Sequence, residues 1–334
     1  MGAMRVKQAR RLTAGLLALA TVLWNAAGQA ADGKLVLYTS QPNRDAQQTI
    51  DAFKTKAPNV DVSFVRDGTT RLIAKLRAEL AAGQSPADVL LIADSVTLEG
   101  LKKEGLLAPY AAADVARYPA GLHDPERTWF ATKLITTGIV YHAKAPVKPQ
   151  SWLDLLKPEA RGQTVMPSPL VSGAALIHAA TLTGNLPGGW AYYEGLKANG
   201  AVAAAGNGDV LKQVAGGEKL YGMIVDFMPI REKAKGAPVE FVFPVEGVSA
   251  IGEPVAILKS SRNPAAAAAF VDFLLSTAGQ QLALAQGYIP ADPAVALPPG
   301  FPPRGSIKIM PFDAARALAE EAANKKRFSD IFGQ

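Results

Sequence analysis

The chain has 334 residues, 49% apolar and 19% charged, with 30 glycines, 24 prolines and no cysteine. That balance excludes a disordered chain and, without a thiol, any disulfide framework, thiolate zinc site, cysteine nucleophile or iron–sulfur cluster; three scattered histidines (His123, His142, His178) are a poor basis for a histidine-rich metal centre. The formal net charge is +6, but Arg5, Lys7, Arg10 and Arg11 fall in a first stretch, 1–30, that holds no acid, so the remainder carries 31 bases against 29 acids, with no basic and aromatic cluster of the kind a nucleic-acid surface needs.

Residues 1–30 have a basic start, an apolar run over 12–24 and small residues at Gly28 and Ala30. This is the order of a secretory signal peptide cut after Ala30, and the run is too short to span a bilayer. Arg10-Arg11 lacks the rest of the twin-arginine pattern, which favours general secretion. A periplasmic chain follows from this segment.

From there strands and helices alternate. Residues 34–38 (KLVLY) predict a strand, followed by a helical pattern through Ile50, Phe53 and Lys54. Residues 60–65 (VDVSFV) alternate as a strand does, and the spacing predicts a helix over 71–82 with Leu72, Ile73, Leu76 and Leu80 on one face. The continuous apolar run 87–92 (ADVLLI) suits a strand buried on both faces. Such alternation implies an α/β class with a mainly parallel sheet covered on both sides.

A second set lies between two long extended stretches, 129–142 and 239–258. It comprises strands at 164–166 and 221–225 and helices at 173–183, 189–198 and 209–215; helices over 263–275 and 277–286 follow. The 304 residues after the leader exceed what one core organises, so two lobes are expected. The discontinuous N-terminal lobe is 31–135 with 250–334, the C-terminal lobe is 136–249, and the two extended stretches form the hinge of a cleft that closes on a ligand.

Open α/β sheets bind ligands at the carboxyl ends of their strands. Three strand-to-helix turns there offer hydroxyls and free backbone N–H groups: Ser40-Gln41, Gly68-Thr69-Thr70 and Ser172-Gly173-Ala174. Helix N-termini favour anions, so together they form an anion cradle, although N-capping alone would also place Ser and Thr at each turn. Asp94 and Asp226 each follow a strand and are expected to open toward the cleft, where a carboxylate suits a ligand with an ammonium end; either would equally serve as a cap or an arginine partner. Asn207 is a ligand donor or a turn residue, and Glu246, in the second crossover, a further candidate. There is no G-x-S-x-G elbow, H-E-x-x-H or Walker loop, so no catalytic residue, metal or cofactor is assigned.

The segments LVLYTSQ (35–41), SPADVLLIADS (85–95), EGLLAPY (104–110), VSGAA (171–175), GDVLKQVAGGE (208–218) and PVAILKSSRNPAAAAAFVDFLLSTAGQQ (254–281), in this order, resemble periplasmic solute-binding proteins of ABC importers in the ferric-ion-binding branch. The resemblance implies a two-lobed type II binding protein, monomeric, that hands a small anionic ligand to an inner-membrane permease. Where iron-binding members carry adjacent tyrosines this chain has Asp226-Phe227-Met228, Pro42 matches their histidine, and Ala93 and Asp94 fall near their glutamate. Ferric iron needs several anionic oxygens, and phenylalanine, methionine and proline offer none. The turn Ser172-Gly173-Ala174, which holds phosphate in those relatives, is kept. The resemblance therefore points to a phosphonate or phosphate ester, 2-aminoethylphosphonate first, its phosphonate at Ser40, Thr69 and 172–174 and its ammonium at Asp226 and Asp94. The alternatives are ferric-ion transport, a periplasmic phosphate-ester enzyme, or a sensory subunit using the same trap. Tyr192-Tyr193, the chain's adjacent tyrosines, fall in a helical pattern and are expected in the core.

Overall fold

A computed structural model of the chain describes residues 31–333; the expected signal peptide lies outside them. The first half runs β1 (Gly33–Thr39), α1 (Asn43–Lys54), β2 (Val60–Arg66), α2 (Thr69–Ala81), β3 (Val89–Leu91), α3 (Ser95–Lys103) and β4 (Leu107–Ala108). In α1 the spacing of Ala46, Ile50 and Phe53 puts all three on one buried face. Helix α2 starts at Thr69, ahead of the position that apolar spacing predicts, because the extended Gly68 can precede a helix directly. Strand β1 pairs in parallel with β2, from Gly33↔Val60 to Thr39↔Arg66, and with β3.

The long β5 (Phe130–His142) leads to β6 (Thr164–Pro167), α4 (Gly173–Asn185), α5 (Ala191–Ala198), β7 (Val202–Ala204), α6 (Asn207–Ala215), β8 (Tyr221–Val225), α7 (Phe227–Ala234) and β9 (Val239–Val242). After β10 (Ser249–Leu258) come α8 (Pro264–Leu275), α9 (Thr277–Ala285), β11 (Ile289–Pro290), α10 (Ala314–Ala319) and α11 (Glu321–Phe332). The stretch 239–258 is therefore two strands, broken by a turn in which Gly247 adopts φ 113°, a conformation a Cβ would strain.

The main path through the sheet is β2-β1-β3-β10-β5-β8-β6-β7. The expected parallel pairing holds within each trio, β2-β1-β3 and β8-β6-β7. It fails between them, where β10 and β5 pair antiparallel with each other and with β3 and β8. The sheet is thus mixed, because the two crossover strands run side by side in opposite directions through its middle.

Each half has its own core. In the first, Leu35, Leu37, Phe53 and Phe270 are buried, with Phe53 and Phe270 edge to face at 5.1 Å. Burial of each such ring contributes about 1.5–3 kcal/mol. The second gathers Trp152, Tyr192, Tyr193, Phe328 and Phe332. The tyrosine pair is in the core as expected, the Tyr192 hydroxyl donating to Trp152 O at 2.8 Å. Phe328 and Phe332 belong to α11, which packs on α4 and α5. Helix α11, which falls in the segment 250–334 expected with the first lobe, thus packs on helices of the second half, while α10 packs on α3; aromatic side chains at i and i+4 give α11 a face that the second core buries.

Candidate functional site

A cavity of about 400 Å³ opens at the carboxyl ends of the parallel strands of both halves. Ser40 reaches it from the end of β1, Gly68 and Thr69 from β2, Ala93 from β3, Ser172, Gly173 and Ala174 from β6, Asn207 from β7, and Phe227 and Met228 from β8. The cavity thus brings together seven of the residues singled out from sequence.

Their hydrogen bonds leave donors unspent. The Ala93 N–H donates to Ser40 Oγ at 2.9 Å and to Thr69 Oγ1 at 3.3 Å. Ser172 Oγ accepts from Ala175 N–H at 3.2 Å and from Asn207 Nδ2 at 3.3 Å. Each hydroxyl is an acceptor in these contacts, so it keeps its own proton, and none has an acceptor for that proton among the described residues. The N–H groups of Gly173 and Ala174 open α4 and precede any helical acceptor. Asn207 Oδ1 in turn accepts from Val225 N–H at 3.2 Å, which makes Asn207 the brace that holds Ser172 in place.

The two halves meet closely around this point. Thr70 N–H donates to Val171 O at 3.2 Å and its hydroxyl to Pro169 O at 3.4 Å. A Cβ on Gly68 would fall 2.4 Å from Val171 O, and one on Gly173 would fall 2.3 Å from Asp94 Oδ2 and 3.0 Å from Thr69 Oγ1. Only glycine permits both approaches.

Five expected site residues do not line the cavity. Thr70 bridges the halves as just described. Gln41 is buried, its amide donating to Glu253 Oε2 at 3.3 Å. Asp94 caps α3, accepting from Thr97 N–H at 2.6 Å and the Thr97 hydroxyl at 3.0 Å. Asp226 accepts from Thr136 N–H (2.9 Å), the Thr136 hydroxyl (2.6 Å) and Phe227 N–H (2.6 Å). Glu246 is held by the Ser151 hydroxyl and by Trp152 N–H at 3.3 Å. The expected ammonium role of Asp94 and Asp226 is corrected accordingly: both carboxylates are buried and spend their lone pairs on protein donors.

Burial pushes both aspartates up to about 6, against the hydrogen bonds that favour their charged forms. In the unfolded chain they titrate near 3.9, so between roughly pH 4 and 6 the folded chain binds more protons. Their contribution to stability is full below that unfolded value and is lost as pH rises through about 6. In urea unfolding, the free energy of Asp226→Asn relative to the unsubstituted chain is therefore expected to improve by about 2 kcal/mol from pH 4 to 7. A difference that does not change with pH would contradict the raised value.

Sequence reasoning missed Arg66, Asp209, Glu253 and Tyr288, all on the cavity wall. Arg66 was findable as the last residue of a strand that feeds the site. Glu253 pairs with Lys133 at 2.6 Å, both almost fully buried, and Lys133 Nζ lies 4.3 Å from the Tyr288 ring centroid. The Tyr288 hydroxyl donates to Asp45 Oδ2 at 2.6 Å, and Arg231 on α7 grips the same carboxylate with both Nη atoms at 3.0 Å. The signal for the first pair was one opposite charge in each of two apolar crossover strands.

A family profile described as "Bacterial extracellular solute-binding protein" matches residues 39–281. An uncharacterized protein of Haemophilus influenzae is 31% identical over 270 residues, 77% of each chain. The Fe(3+)-binding periplasmic protein of Serratia marcescens is 28% identical over 283 residues, 80% of this chain and 81% of that one. Among solved structures, the periplasmic binding protein AfuA of Actinobacillus pleuropneumoniae, with exogenous fructose-6-phosphate bound, is 25% identical with a TM-score of 0.83, covering 90% of this chain and 99% of that one. The fold is the two-lobed α/β fold of these periplasmic binding proteins.

Proposed function

The chain belongs to the bacterial extracellular solute-binding protein family, and from that premise we propose that it is the periplasmic cargo-capturing component of an ABC importer whose cargo is a small phosphonate or phosphate ester, 2-aminoethylphosphonate first among them. The observation that carries this is the convergence, from both halves, of three hydroxyls with unspent protons and the opening amides of α4 on one cavity. Such a set of neutral donors, with a helix dipole behind it, suits a phosphoryl or phosphonyl group. The fructose-6-phosphate carried by the AfuA relative supports the same class.

The ferric alternative, suggested by the Serratia relative, finds Pro42, Phe227 and Met228 on the wall, where a hard cation needs several anionic oxygens. Of the wall carboxylates, Glu253 is paired with Lys133 and Asp67 is held by Gly68 N–H and Arg71, which leaves Asp209 among the described residues. For an aminophosphonate the ammonium falls to Asp209, a cavity-lining carboxylate without a protein partner among the described residues. Residues 31–135 and the stretch from 250 through β11 make one lobe, and 136–249 with α11 the other; β5 and β10 are the hinge. Ser40 and Thr69 then belong to one lobe and Ser172 and Gly173 to the other, so the ligand favours the closed form by touching both. Titration calorimetry with phosphonates, phosphate esters and a ferric salt tests the proposal. Heat from at least one phosphorus compound is expected, and tight ferric uptake with none from any of them would overturn it.

A further inference from the structure

We propose that Arg66 is an anion clamp of this cavity, its two terminal nitrogens gripping the oxyanion of a phosphoryl-bearing ligand beside the hydroxyls of Ser40 and Thr69; this rests on the phosphorus-ligand reading above. Arg66 closes β2 directly opposite Thr39 of β1, so it stands at the strand ends that also deliver Ser40 and Thr69. Its Nε donates to Gln41 O at 2.9 Å, which fixes the guanidinium over the turn that follows Ser40. Nη1 and Nη2 have no acceptor among the described residues, although the side chain lines the cavity.

Two of the carboxylates that line the same cavity are committed elsewhere. Asp67, next in the chain, accepts from Gly68 N–H at 2.7 Å, and its remaining attraction goes to Arg71 at 3.9 Å. Glu253 belongs to Lys133. Arg66 is therefore a cavity-lining guanidinium without a carboxylate partner among the described residues, held at one edge with its planar fork free. That fork matches two oxygens of a phosphate or phosphonate, and charge-assisted bonds of this kind are roughly twice as strong as neutral ones. It also supplies what the hydroxyls and amides lack, a full positive charge, close to a cradle that has the buried Asp94 carboxylate against Gly173.

The test titrates the unsubstituted chain, Arg66→Gln, Arg66→Lys and Ser172→Ala with 2-aminoethylphosphonate, fructose 6-phosphate and inorganic phosphate, with a thermal melt of each variant. For every probe the unsubstituted chain binds, Arg66→Gln is expected to weaken binding about 10- to 100-fold. Arg66→Lys, which keeps the charge and loses the fork, is expected to fall between the two, and both variants to melt with the unsubstituted chain. Binding by Arg66→Gln within twofold of the original, with Ser172→Ala still weakened, would overturn the clamp and leave the cradle standing. Full retention by Arg66→Lys would overturn the bidentate grip. Failure of the unsubstituted chain to bind any of the three probes would overturn the cradle itself, and the clamp with it.

Discussion

Gly173→Ala is expected to weaken capture of the phosphorus ligand by about 100-fold, a cost within the few kcal/mol of forced overpacking. The added methyl would lie 2.3 Å from Asp94 Oδ2 and 3.0 Å from Thr69 Oγ1. Neither neighbour yields cheaply: Asp94 is pinned by two bonds from Thr97, and Thr69 is buried at the start of α2. The cheapest relief is for the halves to stand apart, which sacrifices the contacts a ligand makes with both. Calorimetry reads the affinity, and small-angle scattering at saturating ligand should show the variant remaining larger than the unsubstituted chain. Gly184→Ala is the control, because a Cβ there meets nothing within 4 Å. Unchanged affinity in Gly173→Ala would remove the close approach from the account of closure.

Lys133→Met is expected to be the most destabilising single change near the cavity, costing about 3–5 kcal/mol because it leaves a buried carboxylate uncompensated. Lys133 and Glu253 are register partners in β5 and β10, their side chains 3% and 2% exposed, with Nζ 2.6 Å from Oε2. Burial already pushes Glu253 up, with Lys133 holding it down. Without the lysine the carboxyl is easier to protonate, so the loss should shrink as pH falls. Lys133→Met with Glu253→Gln should cost less than Lys133→Met alone, since the pair taken together contributes less than either orphan costs. Urea midpoints of the single and double variants check this, and a double variant as unstable as the two single losses summed would contradict it.

Much of the fold was legible because its elements carry strong local patterns. The apolar faces of α1 and α2 and the run ending β3 announce themselves by spacing, and the turns after β1, β2 and β6 by hydroxyl and glycine at strand ends. The pairing of β5 with β10 was not legible, since two extended stretches say nothing of their mutual direction. Nor was the docking of α11: Phe328 and Phe332 mark a buried face without naming what buries it. At the site, the hydroxyls at helix starts, Ser40, Thr69 and Ser172, meet on one cavity wall because backbone geometry aims them there. Asp94 and Asp226 misled because a strand-end carboxylate can turn toward the cavity or toward nearby N–H groups, and both turned to the latter. Arg66 escaped notice as a polar residue ending a strand, since the carbonyl that holds its side chain lies 25 positions away in sequence.

The most direct test of metal-free capture by closure is small-angle scattering of residues 31–334 in chelator-containing buffer, with and without saturating 2-aminoethylphosphonate or a phosphate ester. The radius of gyration should fall on adding a phosphorus ligand alone. A radius indifferent to every such ligand, yet falling when ferric ion replaces the chelator, would contradict the account.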